Sequence, residues 1–235
     1  MKVVILAGGK GTRLKPYTMV FPKPLMPIDD KPILEIIIRQ LKSQGLKDII
    51  ITVGYLGELI MNFFGDGSKF GVNIEYSKED QPWGTAGGLG LIKDNLVDTF
   101  LMINGDTLTT LNYTELIDYH NKSGSIATIA LKRRETYVDF GVVELDNKNT
   151  IRDYIEKPTV SHLVSMGVYI FKPGVLGYIK PNEQMDFPEL VKTLISNGED
   201  VKGFVFDGYW LDIGRPEDYE RANKEINQII GLLNL

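Results

Sequence analysis

The chain contains no cysteine. Disulfides, zinc–thiolate sites, iron–sulfur clusters and cysteine nucleophiles are therefore excluded from it. It has no basic excess either: 26 Lys and Arg stand against 31 Asp and Glu, a formal net charge of −5. A general nucleic-acid binder carries a basic surface, so no nucleic-acid partner is expected. Long apolar runs are missing as well. The opening stretch, Val3 to Ala7, is too short for a signal-peptide core or a membrane span. The expectation is a cytoplasmic protein with no membrane partner. No Pro/Gly/Ser-rich linker, low-complexity tract or internal repeat interrupts the sequence. What is present is ordinary for a globular protein: 235 residues, 43% hydrophobic and 24% charged, ample for a sizeable core.

The first half alternates between two periodicities. Short β-branched runs at 2–7, 48–53, 72–76 and 99–104 read as strands. Segments 32–44, 56–64, 85–92 and 113–122 read as helices. In the first of these Ile33, Ile37 and Leu41 share a face, Asp30 stands where a cap would, Pro32 suits the first turn and Gly45 the end. Such alternation predicts parallel strands with helical crossovers, an α/β doubly wound sheet. The second half is mixed, with strands expected at 126–132, 140–145, 165–171 and 202–206 and helices at 187–196 and 216–230. His120 and His162 have no evident partners and read as surface residues. The apolar tail Ile229–Leu235 reads as packing on the chain's own core; a contact between copies, hence a homo-oligomer, is the alternative.

One segment carries chemistry. Leu6-Ala7-Gly8-Gly9-Lys10-Gly11-Thr12-Arg13-Leu14 follows directly on the first strand. Glycines let the backbone approach a ligand and take positive φ. Successive free N–H groups make an anion-binding concavity, and Arg13 adds a permanently charged fork suited to phosphate. Lys23, held between Pro22 and Pro24, can set a compact charge on a phosphate. Leu14 stands where a dinucleotide fingerprint needs its third glycine, and the Gly-Lys-Ser/Thr of a Walker A loop is absent. Asp106 follows the 99–104 strand, at the carboxyl end where open α/β sheets bind ligands. Asp212 sits among apolar residues, Tyr209-Trp210-Leu211 and Ile213-Gly214, and there needs a partner.

Gly8-Gly9-Lys10-Gly11-Thr12-Arg13-Leu14 followed by Pro22-Lys23-Pro24 resembles the signature of the sugar-1-phosphate nucleotidyltransferases, the nucleotide-sugar pyrophosphorylases. The resemblance extends over nearly the whole chain, through Gly84-Thr85-Ala86-Gly87, Asn104-Gly105-Asp106, Phe140-Gly141-Val142-Val143-Glu144, Glu156-Lys157-Pro158 and Trp210-Leu211-Asp212-Ile213-Gly214. It implies a Rossmann-like sheet with an inserted sugar-binding lobe, in one domain over 1–235. The nucleotide-binding half would run to about 125, the sugar-binding half from about 126 to 215, and a C-terminal helix over about 216–232. The substrates implied are a nucleoside triphosphate and a sugar 1-phosphate.

The resemblance also implies roles. Arg13, Lys23 and Asp106 would be catalytic. Leu6, Ala7, Gly8, Gly9, Gly11, Thr12, Arg13, Gln81, Gly84 and Thr85 would bind the nucleotide. Gly141, Glu156, Lys157 and Ser165 would bind the sugar phosphate, and Asp106 and Asp212 would share Mg²⁺, an ion that takes one or two carboxylates plus phosphates and waters. Many relatives have asparagine where Ser165 stands. Guanylyl-type members carry Pro-Leu-Gly-Thr-Ala-Gly where this chain has Pro82-Trp83-Gly84-Thr85-Ala86-Gly87. Thymidylyl-type members carry glutamine where Pro24 stands. The base therefore leans to guanine, with uracil and cytosine open, and mannose, a heptose and glucose all remain as sugars. Two rivals differ in kind: a glycosyltransferase, whose Asp-x-Asp metal pair this chain lacks, and a non-catalytic nucleotide-sugar-binding regulator.

Overall fold

The computed structural model describes residues 1–180 and 183–233. In chain order the strands and helices run β1 (Lys2–Ala7), β2 (Pro27–Ile28), β3 (Lys31–Pro32), α1 (Ile33–Ser43), β4 (Asp48–Val53), α2 (Gly57–Phe64), β5 (Asn73–Lys78) and α3 (Gly84–Gly87). They continue with β6 (Phe100–Asn104), β7 (Thr107–Thr109), α4 (Tyr113–Ser123), β8 (Ala127–Tyr137), β9 (Val142–Leu145), β10 (Ile151–Ile155) and β11 (Thr159–Phe171). The last are α5 (Phe187–Ser196), β12 (Val201–Val205), β13 (Trp210–Asp212) and α6 (Pro216–Ile229).

One seven-stranded sheet organises the chain, in the order β12-β8-β11-β6-β1-β4-β5. Strands β6, β1, β4 and β5 are mutually parallel, as the alternating pattern predicts. β11 enters antiparallel to β6 and β8, so the sheet is mixed. The pleat sends alternate residues to opposite faces. Val3, Ile5, Leu101 and Ile103 join one core, together with α1, α2 and α6 residues. Val4, Phe100, Met102 and Phe171 join the other, with Leu190 and Leu194 of α5. Both faces are thus covered, which is why these strands read as continuous apolar runs rather than alternating ones. The chain order reverses beside β1, whose neighbours are β4 and β6. In such a sheet that reversal opens a crevice at the carboxyl ends of the strands.

Several expectations need correcting. Asp30 does not cap α1: the N-cap position is Pro32, and Asp30 pairs with Lys31. The expected helix 85–92 is a single α turn followed by a 3₁₀ stretch, Gly88–Asn95, because Gly84, Gly87, Gly88 and Gly90 propagate an α-helix poorly. Strands expected at 126–132 and 165–171 run on to 137 and back to 159, pairing as one long antiparallel ribbon. β10, which pairs with β9 in a separate two-stranded sheet, was not foreseen. In the tail, Ile229 and Leu233 are buried in the core as expected, but Ile230 and Leu232 are exposed, and residues 234–235 lie outside the described residues. No helix among the described residues is long and apolar enough to cross a membrane.

His120 is buried, not a surface residue. It lies on the inward face of α4, where its Nδ1 meets the Thr128 hydroxyl at 2.8 Å and Nε2 has no partner. Burial, with the nearby Lys172 charge, pushes its pKa below the usual value. The unfolded chain therefore binds this proton more readily than the folded one. Stability is fully present above the unfolded pKa of about 6.5 and falls with acidification at up to about 1.4 kcal/mol per pH unit. Urea unfolding between pH 5 and 7 is expected to show this slope, and His120→Gln should flatten it; substitution of the exposed His162 should leave it in place.

Candidate active site

A cleft of about 820 Å³ opens at the carboxyl ends of β1, β4, β5 and β6. Its lining includes every residue that the family resemblance marks for the nucleotide: Leu6, Ala7, Gly8, Gly9, Gly11, Thr12, Arg13, Gln81, Gly84 and Thr85. Lys23 and Asp106 line it too.

The loop after β1 forms one wall. Gly11 has φ +58°, and a Cβ there would lie 2.9 Å from Thr18 Cγ2. The Thr18 hydroxyl donates to Gly11 O at 2.8 Å and ties the loop to the segment behind it. The N–H groups of residues 9–13 meet no acceptor among the described residues. They form the concavity of free donors that anions favour.

Against this loop, where a Cβ on Gly11 would lie 3.3 Å from Lys23 Cβ, sits a charge cluster built from distant parts of the chain. β13 pairs antiparallel with β7, setting Asp212 against Thr107, and Ile213 N–H donates to Asp106 O at 3.1 Å. This pairing brings the two aspartates together. The ammonium of Lys23 pairs with Asp106 Oδ2, and both side chains are mostly buried. The other Asp106 oxygen, Oδ1, is buried with no partner. Burial pushes the Asp212 carboxyl above its usual range, and the Asp106 charge pushes the same way; Lys23 and Arg13 pull it back. Arg13 reaches this cluster, since a Cβ on Gly214 would lie 3.3 Å from both Arg13 Nη2 and Asp212 Oδ2. An orphaned buried oxygen beside a second carboxylate, itself disfavoured as an anion, fits a cation. No group of three His, Cys, Asp or Glu among the described residues could hold a metal. Two carboxylates with the remaining positions left to phosphates and water suit Mg²⁺.

Three acidic residues of the cleft, Glu79, Asp80 and Asp186, escaped the sequence reading. Glu79 closes β5 and is wedged between glycines: a Cβ on Gly8 would sit 3.4 Å from its Oε2, and one on Gly88 2.5 Å from its Oε1. Burial raises its pKa. Asp80 and Asp186 line the cleft nearby. Nothing in a solvated-looking Lys-Glu-Asp-Gln string announces a wedged carboxylate. The signal available was its position, directly after a buried strand and before the Gly84 turn.

The residues marked for the sugar phosphate do not line this cleft. Gly141 and Glu156 meet through Tyr154, whose hydroxyl donates to Glu156 Oε2 at 3.3 Å and stands where a Gly141 Cβ would be. Lys157, with φ +45°, pairs with Asp139 at 3.3 Å. Ser165 lies in β11. Its hydroxyl donates to Tyr169 Oη at 2.8 Å and accepts from the Gly167 N–H at 3.3 Å. Glycine is required at 167: φ is +73°, and a Cβ would lie 2.5 Å from Asn104 Nδ2.

Comparison with known proteins agrees with this architecture. A UTP–glucose-1-phosphate uridylyltransferase of Synechocystis sp. is 37% identical, over 94% of this chain and 62% of that protein. A probable mannose-1-phosphate guanylyltransferase of Oryza sativa is 36% identical, over 93% of this chain and 63% of that protein. The chain thus spans somewhat less than two thirds of the length of these curated relatives. Among solved structures, a putative glucose-1-phosphate thymidylyltransferase from Bacillus anthracis, in complex with a sucrose, superposes with a TM-score of 0.78 at 29% identity. It covers 95% of this chain, and 94% of that chain is covered in return. The model of the nucleotidyl transferase family matches residues 2–229, and the chain belongs to that family.

Proposed function

We propose that the chain joins a nucleoside triphosphate, GTP by preference, to mannose 1-phosphate or a related hexose or heptose 1-phosphate, releasing pyrophosphate. The observation that carries this reading is the set of groups that share one cleft: the free N–H groups of residues 9–13, Arg13, the Lys23–Asp106 pair and the wedged carboxylate of Glu79. The N–H groups and cations suit the phosphates of a nucleoside triphosphate, and the Glu79 carboxylate suits a neutral base with N–H donors.

The reaction is an in-line displacement. A sugar phosphate oxygen attacks the α-phosphorus, a new P–O bond forms, and the bond to the β-phosphate oxygen breaks with its electron pair leaving on pyrophosphate. The attacking group is already an anion, so no side-chain nucleophile is needed. The difficulty is bringing two polyanions together and stabilising charge at the α-phosphoryl group. Arg13 and the Gly8–Gly11 backbone would hold the leaving β- and γ-phosphates. Lys23 would exchange its Asp106 partner in part for the α-phosphate. Asp106 and Asp212 would hold Mg²⁺, which when bound neutralises phosphate oxygens and orients them. Glu156 would accept from sugar hydroxyls, Lys157 would leave Asp139 for the sugar phosphate, and the Gly141 backbone and Ser165 would complete that side. The compartment we assign is the cytoplasm.

The named relatives divide among uridylyl, guanylyl and thymidylyl transfer, and Glu79 favours guanylyl. Guanine presents two adjacent donors, N1–H and the N2 amino group, to a carboxylate. Uracil presents one N–H between two carbonyl oxygens, which a carboxylate repels. Removing a hydrogen bond to a charged group costs about 1.5–3 kcal/mol. Glu79→Gln is therefore expected to reduce the preference for GTP over UTP by roughly tenfold or more, read as a ratio of kcat/KM; an unchanged ratio would remove Glu79 from base selection.

Pyrophosphate release from five nucleoside triphosphates against several sugar 1-phosphates, with Mg²⁺ or with chelator, tests the reaction. Metal-dependent release with one preferred pair is expected. Lys23→Ala and Asp106→Ala should each slow turnover by ~10²–10³ or more. Near-normal turnover of either variant refutes its role, and no release from any pair by the unaltered protein refutes the reaction.

A further inference from the structure

Asp186 has no function in the nucleotidyl-transfer reading above, yet it lines the cleft. A carboxylate beside an anionic ligand calls for a reason. Its own helix does not supply one. Asp186 is the N-cap residue of α5, where an aspartate ordinarily accepts from the helix's first free N–H groups, but its side chain makes no such bond.

Its acceptor goes instead to the glycine turn 101 residues earlier. Asp186 Oδ1 accepts from the Thr85 N–H at 2.9 Å and from the Thr85 hydroxyl at 3.2 Å. The Thr85 hydroxyl in turn accepts from the Phe187 N–H at 2.9 Å. On either side the backbones are laced together: Met185 N–H donates to Trp83 O at 2.9 Å, and Met185 O accepts from the Ala86 and Gly87 N–H groups at 3.0 Å. Contact is so close that position 84 admits only glycine, with φ +78° and a would-be Cβ 2.4 Å from Met185 O. Phe187 is anchored behind, its ring 4.7 Å from that of Tyr169 and stacked on it.

These bonds divide by location. Those of Met185 hold Trp83, Ala86 and Gly87, and Ala86 and Gly87 are buried. Those of Asp186 hold Thr85, which is exposed and lines the cleft. We infer that Asp186 is a positioning residue for the nucleotide: it fixes the Gly84–Thr85 edge of the cleft against which the base would rest. The inference deepens the proposed reaction and rests on it for the identity of the ligand. It also explains the chemistry of the residue. One carboxylate oxygen can take two donors from the same turn, which a neutral N-cap serine cannot do as strongly.

The test separates acceptor from charge. Asp186→Asn keeps one acceptor oxygen and should stay within about threefold of the unaltered protein in every constant. Asp186→Ala should raise KM for the preferred nucleoside triphosphate roughly tenfold, while kcat and KM for the sugar 1-phosphate stay within about twofold. Thr85→Ala removes the hydroxyl from the other side and should raise the same KM. The double variant should be less impaired than the sum of the two, since the residues share one set of bonds. An unchanged nucleotide KM in Asp186→Ala overturns the inference, and so does an equal rise in both KM values, which would mark general loosening of the fold. If the unaltered protein turns over no pair at all, the proposed reaction fails and not this inference. Calorimetric titration with GTP then decides: roughly tenfold weaker binding by Asp186→Ala upholds it, and equal binding overturns it.

Discussion

Two half-buried carboxylates that should repel lie close together, and much of the molecule is arranged around that constraint. Asp106 and Asp212 come from opposite halves of the chain and are joined by the short pairing of β7 with β13. Left alone, each would be costly to bury and would disfavour the other's charge. Lys23 answers one of them directly, and Arg13 lies close to the other. The balance is incomplete, because Asp106 Oδ1 remains without a partner. Such an arrangement is poorly tuned for stability and well tuned for a cation brought in with phosphates. The prolines around Lys23 matter for the same reason: they limit the backbone that carries the ammonium paired with Asp106.

Around this cluster, close approach of main chains does what large side chains cannot. Gly105 lets its strand lie against Leu6 O, where a Cβ would be 2.7 Å away. Gly167 makes room for Asn104 in the same layer. The glycine loop thus brings backbone N–H groups, fixed dipoles rather than mobile side chains, to the cleft. Donors held in place by the fold need no reorganisation when charge develops, which is the property that electrostatic catalysis requires.

The sheet was legible because its strands are buried on both faces. Runs such as Val3-Val4-Ile5 and Ile49-Ile50-Ile51 have one reading, and β1, β4 and α5 were bounded correctly from sequence. The glycine loop, Lys23, Asp106 and the Gly84 turn were also legible as candidates, because spacing and composition mark them and they do gather on one cleft. β10 was not. It is exposed throughout, so no apolar periodicity betrays it. Glu79, Asp186 and His120 were missed for a different reason. What matters about each is a contact with a distant segment, and no local pattern records whether a polar side chain faces water or a neighbour.

The position of β1 has a consequence for assembly. The first strand made is the centre of the sheet, and its two partners lie at 48–53 and 100–104. The parallel half can close only once about the first hundred residues are available. The other half is stricter. β8 touches the sheet through β11 and β12 alone, so after its synthesis it has no sheet to join until residue 171 has been made. Until then the parallel strands β6, β1, β4 and β5 have β6 as an unpaired edge, which only β11 covers in the finished sheet. Pairings of such sequence separation close slowly and leave edges exposed meanwhile. The two halves of the sheet are thus completed in order, and the last strand to arrive, β13, is the one that carries Asp212.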